Sequence, residues 1–156
     1  ANSGRIRKGD TLLDYGCGKG RVDCYLSYQT RCHSIGVEYD PRIYETAAEN
    51  QKTAVSGGRT EFVLADAGEF PVPGAVNRAY FFNPFSVELL QKVIRRILDS
   101  WYEVSREIRL FFYYPSDEYL AYLMTVDELV FADEIDCREL FDGNDARERI
   151  VEFVLE

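Results

Sequence analysis

A chain of 156 residues is the length of one average domain, large enough to bury about 70% of its unfolded surface and hold a real core. Its composition, 46% apolar and 29% charged, is that of a globular domain, and no apolar run approaches the ~18 residues that cross a membrane. The net charge of −9 argues against a broad phosphate-binding face, and so against large RNA or DNA as partners. The four cysteines, Cys17, Cys24, Cys32 and Cys137, form no C-x-x-C pair, and the one histidine is His33, so no metal site is expected. With no secretory signal pattern at the start, free thiols in a reducing cytoplasm are the expectation.

From Thr11 a short apolar run ends in Asp14, and Gly16, Gly18 and Gly20 follow at every second position. This reads as a strand and a tight turn. Arg21 to Thr30 reads as the helix behind it, with Val22, Tyr25 and Leu26 on one face. Glycines allow positive φ and let a ligand approach the backbone, and the helix start offers free N–H groups. At the carboxyl end of a first parallel strand, such a turn is a nucleotide-type ligand site. A dinucleotide fingerprint needs glycine where Arg21 stands, and a P-loop needs Ser or Thr where Gly20 follows Lys19.

Ser34 to Asp40 is the second strand, closing in acids. Asp40 is placed to cap a helix that starts at Pro41 and runs toward Val55. Glu38 lies 24 positions after Asp14, at the tip of the neighbouring strand, where a carboxylate can accept from both hydroxyls of a ribose. An NAD enzyme would use the same acid. Glu61 to Asp66 is a third strand, and Gly68 to Ala75 a loop.

Arg78 to Phe85 is an aromatic strand running into Asn83-Pro84-Phe85. Pro84 rigidifies the turn, between an amide side chain at Asn83 and an aromatic face at Phe85. Ser86 caps a helix whose core stripe is Val87, Leu90, Ile94, Ile97, Trp101 and Val104, with Lys92, Arg95 and Arg96 on the solvated side. Glu107 to Tyr114 is a fifth strand apolar enough to be covered on both faces. A short helix over 117–124 and a hairpin, 133–140 with 147–155 around Asp142-Gly143-Asn144-Asp145, complete the chain.

The stretch Asp14-Tyr15-Gly16-Cys17-Gly18-Lys19-Gly20 resembles motif I of class I S-adenosylmethionine (SAM)-dependent methyltransferases. The likeness extends through Glu38, Asp66-Ala67 and Asn83-Pro84-Phe85, the last where the family keeps motif IV. It implies a single domain over residues 1–156, an α/β Rossmann-like three-layer sandwich. The sheet would have seven strands in the order 3-2-1-4-5-7-6, mostly parallel with strand 7 antiparallel. The family usually carries a helical segment before motif I, so the chain is expected to lack one. The resemblance makes Gly16, Gly18 and Gly20, with Tyr15 and Cys17, the packing around the cofactor's methionine part. It gives Asp14 the amino end, Glu38 the ribose, and Asp66 the adenine amine. Tyr39 and Ala67 would flank the ring. Asn83, Pro84 and Phe85 would face the acceptor and be the catalytic set, with Asn83 also near the cofactor. The implied cofactor is SAM and the product S-adenosyl-L-homocysteine. The expected acceptor is a nitrogen, in a protein side chain or small amine rather than nucleic acid. Two other classes are a non-catalytic SAM-binding module and an NAD(P)-dependent oxidoreductase. The missing glycine of the dinucleotide fingerprint and the terminal hairpin count against the second. The oligomeric state is unassigned.

Overall fold

The computed structural model describes residues 1–83 and 85–156; Pro84, one of the three residues assigned to catalysis, lies outside the described residues. The order is β1 (Thr11–Tyr15), α1 (Arg21–Thr30), β2 (His33–Glu38), α2 (Pro41–Thr53), β3 (Thr60–Leu64), β4 (Arg78–Phe81), α3 (Val87–Glu103), β5 (Ile108–Tyr113), α4 (Asp117–Leu123), β6 (Val130–Asp136) and β7 (Arg149–Leu155). The strands form one sheet in the order β3-β2-β1-β4-β5-β7-β6, as expected. β1 to β5 pair in parallel, and β7 runs antiparallel to both neighbours.

Successive strand residues point to opposite faces of a sheet. In β1 this sends Leu13 and Tyr15 into the main core, with Phe81, Phe112 and the apolar stripe of α3. Leu12 goes to the other face, where it packs with Leu26 of α1 and Cys32. The helix caps follow the sequence: Asp40 accepts from Arg42 N and Ile43 N, and Ser86 from Leu89 N. The α3 stripe buries Leu90, Ile94 and Ile97 as expected and adds Val93 and Ser100, whereas Val104 is the exposed C-cap.

The buried face of α1 is the expected one at Val22 and Leu26 but not at Tyr25. The helix buries Asp23, Leu26 and Ser27, and leaves Tyr25 56% exposed. Ser27 lies close enough to β2 for its hydroxyl to bond that of Ser34 at 2.9 Å, a close approach that a tyrosine on that face would prevent. At the far edge, fully buried Glu152 in β7 accepts from Arg109 Nη1 at 2.6 Å and is also paired with Arg5.

Candidate ligand site at the carboxyl ends of the strands

The turn after β1 is held to β2 by backbone bonds. Gly16 N and Cys17 N both donate to Val37 O, at 2.9 and 3.0 Å, and Gly20 N donates to Cys17 O at 3.0 Å. Gly16, Gly18 and Gly20 have φ values of 67°, 57° and 78°, the left-handed region that glycine enters without strain. Two of them also serve distinct steric needs. A Cβ on Gly20 would fall 2.4 Å from Cζ of Phe62, whereas one on Gly18 would meet nothing within 4 Å. Gly20 is therefore a packing requirement, and Gly18 leaves the face of the turn open. Gly36, inside β2, was not singled out in the sequence. A Cβ there would lie 2.8 Å from that of Cys17, which is why the turn can fold down on β2; a glycine within a strand is the signal that marks such an approach.

Beside this turn is a cavity of about 330 Å³. Gly16, Glu38, Tyr39, Asp66, Ala67 and Phe85, all singled out from the sequence, line it, and Val37, Ala65 and Leu89 complete its apolar walls. A cavity of this kind, mostly apolar with a few fixed polar groups, suits a small organic ligand. The Glu38 carboxylate is fixed in advance: Oε1 accepts from Gly18 N at 3.0 Å, and Oε2 from Tyr39 N at 2.9 Å and Asp40 N at 3.0 Å. Asp66 is exposed at the end of β3, its Oδ1 accepting from Gly68 N at 2.9 Å.

The other motif I side chains lie around the cavity rather than on it. Tyr15 is 1% exposed and stacks on Phe81 with centroids 4.9 Å apart, so only its backbone faces the turn. Cys17 is buried, and burial together with nearby carboxylates pushes its thiol well above the ordinary range, which leaves it unreactive. Asp14 is buried on the opposite face from Tyr15, in register with Tyr80 of β4. Burial raises its carboxyl well above the usual range, and Asp23 and Glu38 add to the effect. Asp23 was missed in the sequence, because an acid in the first turn of a helix normally faces solvent at the positive end of the dipole. Its helical neighbours Leu26 and Ser27, which share its buried face, are the signal that could have found it.

At the tip of β4, Asn83 has a left-handed backbone with φ 40°, and Tyr114, just past β5, has φ 51°. Asn83 Nδ2 donates to the Tyr114 carbonyl, and Asn83 Oδ1 accepts from Ser116 N at 3.2 Å. Phe85 stands edge-on to Tyr15 and Phe81, both 6.3 Å away. Tyr119 of α4, another residue not found in the sequence, holds Phe85 in place, its hydroxyl accepting from Phe85 N at 3.2 Å and donating to Phe85 O. Exposed Phe82 and half-buried Tyr113 lie beside this corner with rings 4.9 Å apart.

Among the described residues no group of three or more His, Cys, Asp or Glu side chains is placed to hold a metal ion, and no helix is long and apolar enough to cross a membrane.

A family model described as a methyltransferase domain matches residues 12–107, more than half of the chain. With this match and the sheet order above, the chain belongs to the class I SAM-dependent methyltransferase family. Among curated relatives, 27-O-demethylrifamycin SV methyltransferase of Amycolatopsis mediterranei (strain S699) is 27% identical over 105 residues; the match spans 67% of this chain but only 36% of that protein. An RNA methyltransferase from Salinibacter ruber, solved with S-adenosyl-L-homocysteine, superposes with a TM-score of 0.66 at 19% identity, covering 96% of this chain and 83% of that one. A geranyl diphosphate C-methyltransferase from Streptomyces coelicolor A3(2) gives 0.68 at 14% identity, covering 98% and 72%. The names of these three proteins point to three different kinds of acceptor, so the likeness establishes the fold and leaves the acceptor to the site itself.

Proposed function

We propose that the cavity binds SAM, and its product S-adenosyl-L-homocysteine in the same pose, and that the chain transfers the methyl group to a nitrogen of a protein side chain or small amine in the cytoplasm. One observation carries the cofactor reading: two acids at the tips of adjacent parallel strands, Glu38 and Asp66, share one apolar-walled cavity with the open glycine turn. A ribose diol fits the carboxylate that three backbone N–H groups already hold in place at Glu38. An adenine ring fits between the apolar walls, with Asp66 accepting from its amine and the Ala67 N–H donating to the ring. The amino-acid end would run over Gly16 and Gly18 toward Asp14.

Bound there, the cofactor supplies a methyl group on a sulfonium, a good leaving group. The protein's part is orientation: a nucleophile held in line at roughly 3 Å lowers the barrier by several kcal/mol. Asn83, Pro84 and Phe85 are the residues proposed to face the acceptor. Asn83 Oδ1 accepts one hydrogen bond from Ser116 N and keeps a second lone pair for an amine N–H. The Phe82–Tyr113 aromatic pair beside it, and the net charge of −9, favour an amine over a polyanion.

Isothermal titration with SAM, S-adenosyl-L-homocysteine and NADH tests the cofactor. Binding of the first two and not the third supports the reading; binding of NADH alone overturns it. Methyl transfer from labelled SAM to an amine or protein acceptor then separates an enzyme from a non-catalytic SAM-binding module.

A further inference from the structure

Two carboxyl groups face each other beneath the glycine turn. Asp14 is the last residue but one of β1 and Asp23 sits in the first turn of α1; they are 3% and 0% exposed. The two lie within hydrogen-bonding reach of each other. Among the described residues no N–H or hydroxyl group donates to either oxygen of Asp23, which leaves the carboxyl of Asp14 as its polar neighbour. Among the described residues no arginine or lysine forms an ion pair with either acid. The titratable groups that face them are Cys17 from the turn, Cys24 from α1, Cys32 before β2, Glu38 from β2 and Tyr80 from β4. All of these are neutral or negative. Two buried carboxylates cannot both stay ionised in such surroundings without a cation, and a hydrogen bond between them requires a proton on one. Burial raises both groups above the usual carboxylate range, in accord with that geometry.

We propose that Asp23 is a positioning residue for the cofactor's amino-acid end: with the site empty it shares one proton with Asp14, and the pair releases that proton to solvent when a ligand ammonium settles beside Asp14. The inference rests on the cofactor reading above. It accounts for a fully buried acid on a helix face that otherwise packs small and apolar groups. It also gives the site a charge that adapts, one negative charge when empty and two against a cation. The pair titrates as a unit, so the proton belongs to neither residue alone.

Infrared spectroscopy of the ligand-free protein at neutral pH reads the proton directly. The wild type should show a protonated-carboxyl band that Asp23→Asn removes, since the asparagine amide takes over the donor role. Titration with S-adenosyl-L-homocysteine reads the coupling. Wild-type affinity should rise from pH 6 to pH 8, by up to tenfold per pH unit, with proton release visible as a dependence on buffer ionisation enthalpy. His33, the one histidine, lies at the amino end of β2, remote from the pair, so it does not supply this response. Asp23→Asn should bind within a few-fold of the wild type at pH 8 but without the pH dependence, whereas Asp23→Leu should lose affinity at every pH. A wild-type protein with no protonated-carboxyl band at neutral pH overturns the shared proton. Tight binding with no proton release overturns the coupling. Failure of S-adenosyl-L-homocysteine to bind removes the cofactor reading and the coupling together, while the band still decides the shared proton.

Discussion

Asn83 and Tyr114 tie the tips of two adjacent strands together: the Asn83 amide donates to the Tyr114 carbonyl, and both residues hold left-handed backbones, φ 40° and 51°. For a bulky residue such as Tyr114 that conformation costs about 1–2 kcal/mol, so the tie offsets strain at the corner proposed to face the acceptor. Asn83→Ala removes this bond and the one from Ser116, each worth about 0.5–1.5 kcal/mol net. We expect urea unfolding to register a loss of about 1–2 kcal/mol. Methyl transfer should fall by more than tenfold while S-adenosyl-L-homocysteine binding changes less than about threefold. Full turnover in this variant would remove Asn83 from the proposed set. Asn83→Gly, which enters φ 40° freely, should lose less stability than Asn83→Ala.

The glycines of the turn separate folding from binding. Gly20→Ala adds left-handed strain of about 1–2 kcal/mol to a clash with the Phe62 ring, so a total loss of about 2–4 kcal/mol is expected by chemical denaturation. Adding Phe62→Leu should recover part of it. Gly18→Ala meets nothing within 4 Å, so it should cost about 1 kcal/mol in stability yet weaken S-adenosyl-L-homocysteine binding at least tenfold. Equal effects of the two substitutions on stability would contradict the assignment.

Glu38→Ala removes the acceptors proposed for the ribose. Hydrogen bonds to a charged group are worth about 1.5–3 kcal/mol, which corresponds to a loss of about 10- to 100-fold in affinity by titration calorimetry. Glu38→Gln keeps an oxygen for Gly18 N or for the Tyr39 and Asp40 N–H groups, and should fall between the alanine variant and the wild type.

The buried pair gives stability its own pH dependence. The folded protein holds a proton that free aspartates give up near pH 4, so stability from this source is complete below that pH and declines as pH rises through neutrality. Asp23→Asn should flatten the decline and be the more stable protein at pH 8, by about 1–3 kcal/mol, a tenfold change in proton affinity being about 1.4 kcal/mol. Melting temperatures from pH 5 to pH 8 would show it. Asp133, Asp136 and Asp145 have carboxyls held below the usual range, chiefly by hydrogen bonds, so their contribution is lost only as pH falls in acid, outside this window.

Much of the scaffold was legible in the residues. The run from Thr11 to Thr30, the caps at Asp40 and Ser86, and the α3 stripe all follow from local chemistry, and the sheet order came through the likeness of the motifs to a family. Six of the site residues meet in one cavity because strand tips are where an acid ending an apolar run must lie. What escaped depended on which face each residue takes. Asp14 and Tyr15 are neighbours in sequence, yet strand alternation sends one under the turn and the other into the core beside Phe81. Tyr25 looked like a core residue and is exposed, while Asp23, not singled out in the sequence, is buried. A ten-residue helix with few large apolar side chains does not declare its face; the closeness of Ser27 to Ser34 does.

The place of β7 has a bearing on how the domain is made. It is the last strand of the sheet to leave the ribosome, yet it lies between β5 and β6 and pairs with both. Until residues 149–155 emerge, β5 presents an open edge and β6 has no partner in the sheet. The nascent chain therefore has every residue of its ligand turn and of β1 and β2 alongside an incomplete flank. A stalled or prematurely terminated product would keep the strands of the parallel core but expose that edge, making truncation before β7 a route to aggregation rather than to a smaller working domain.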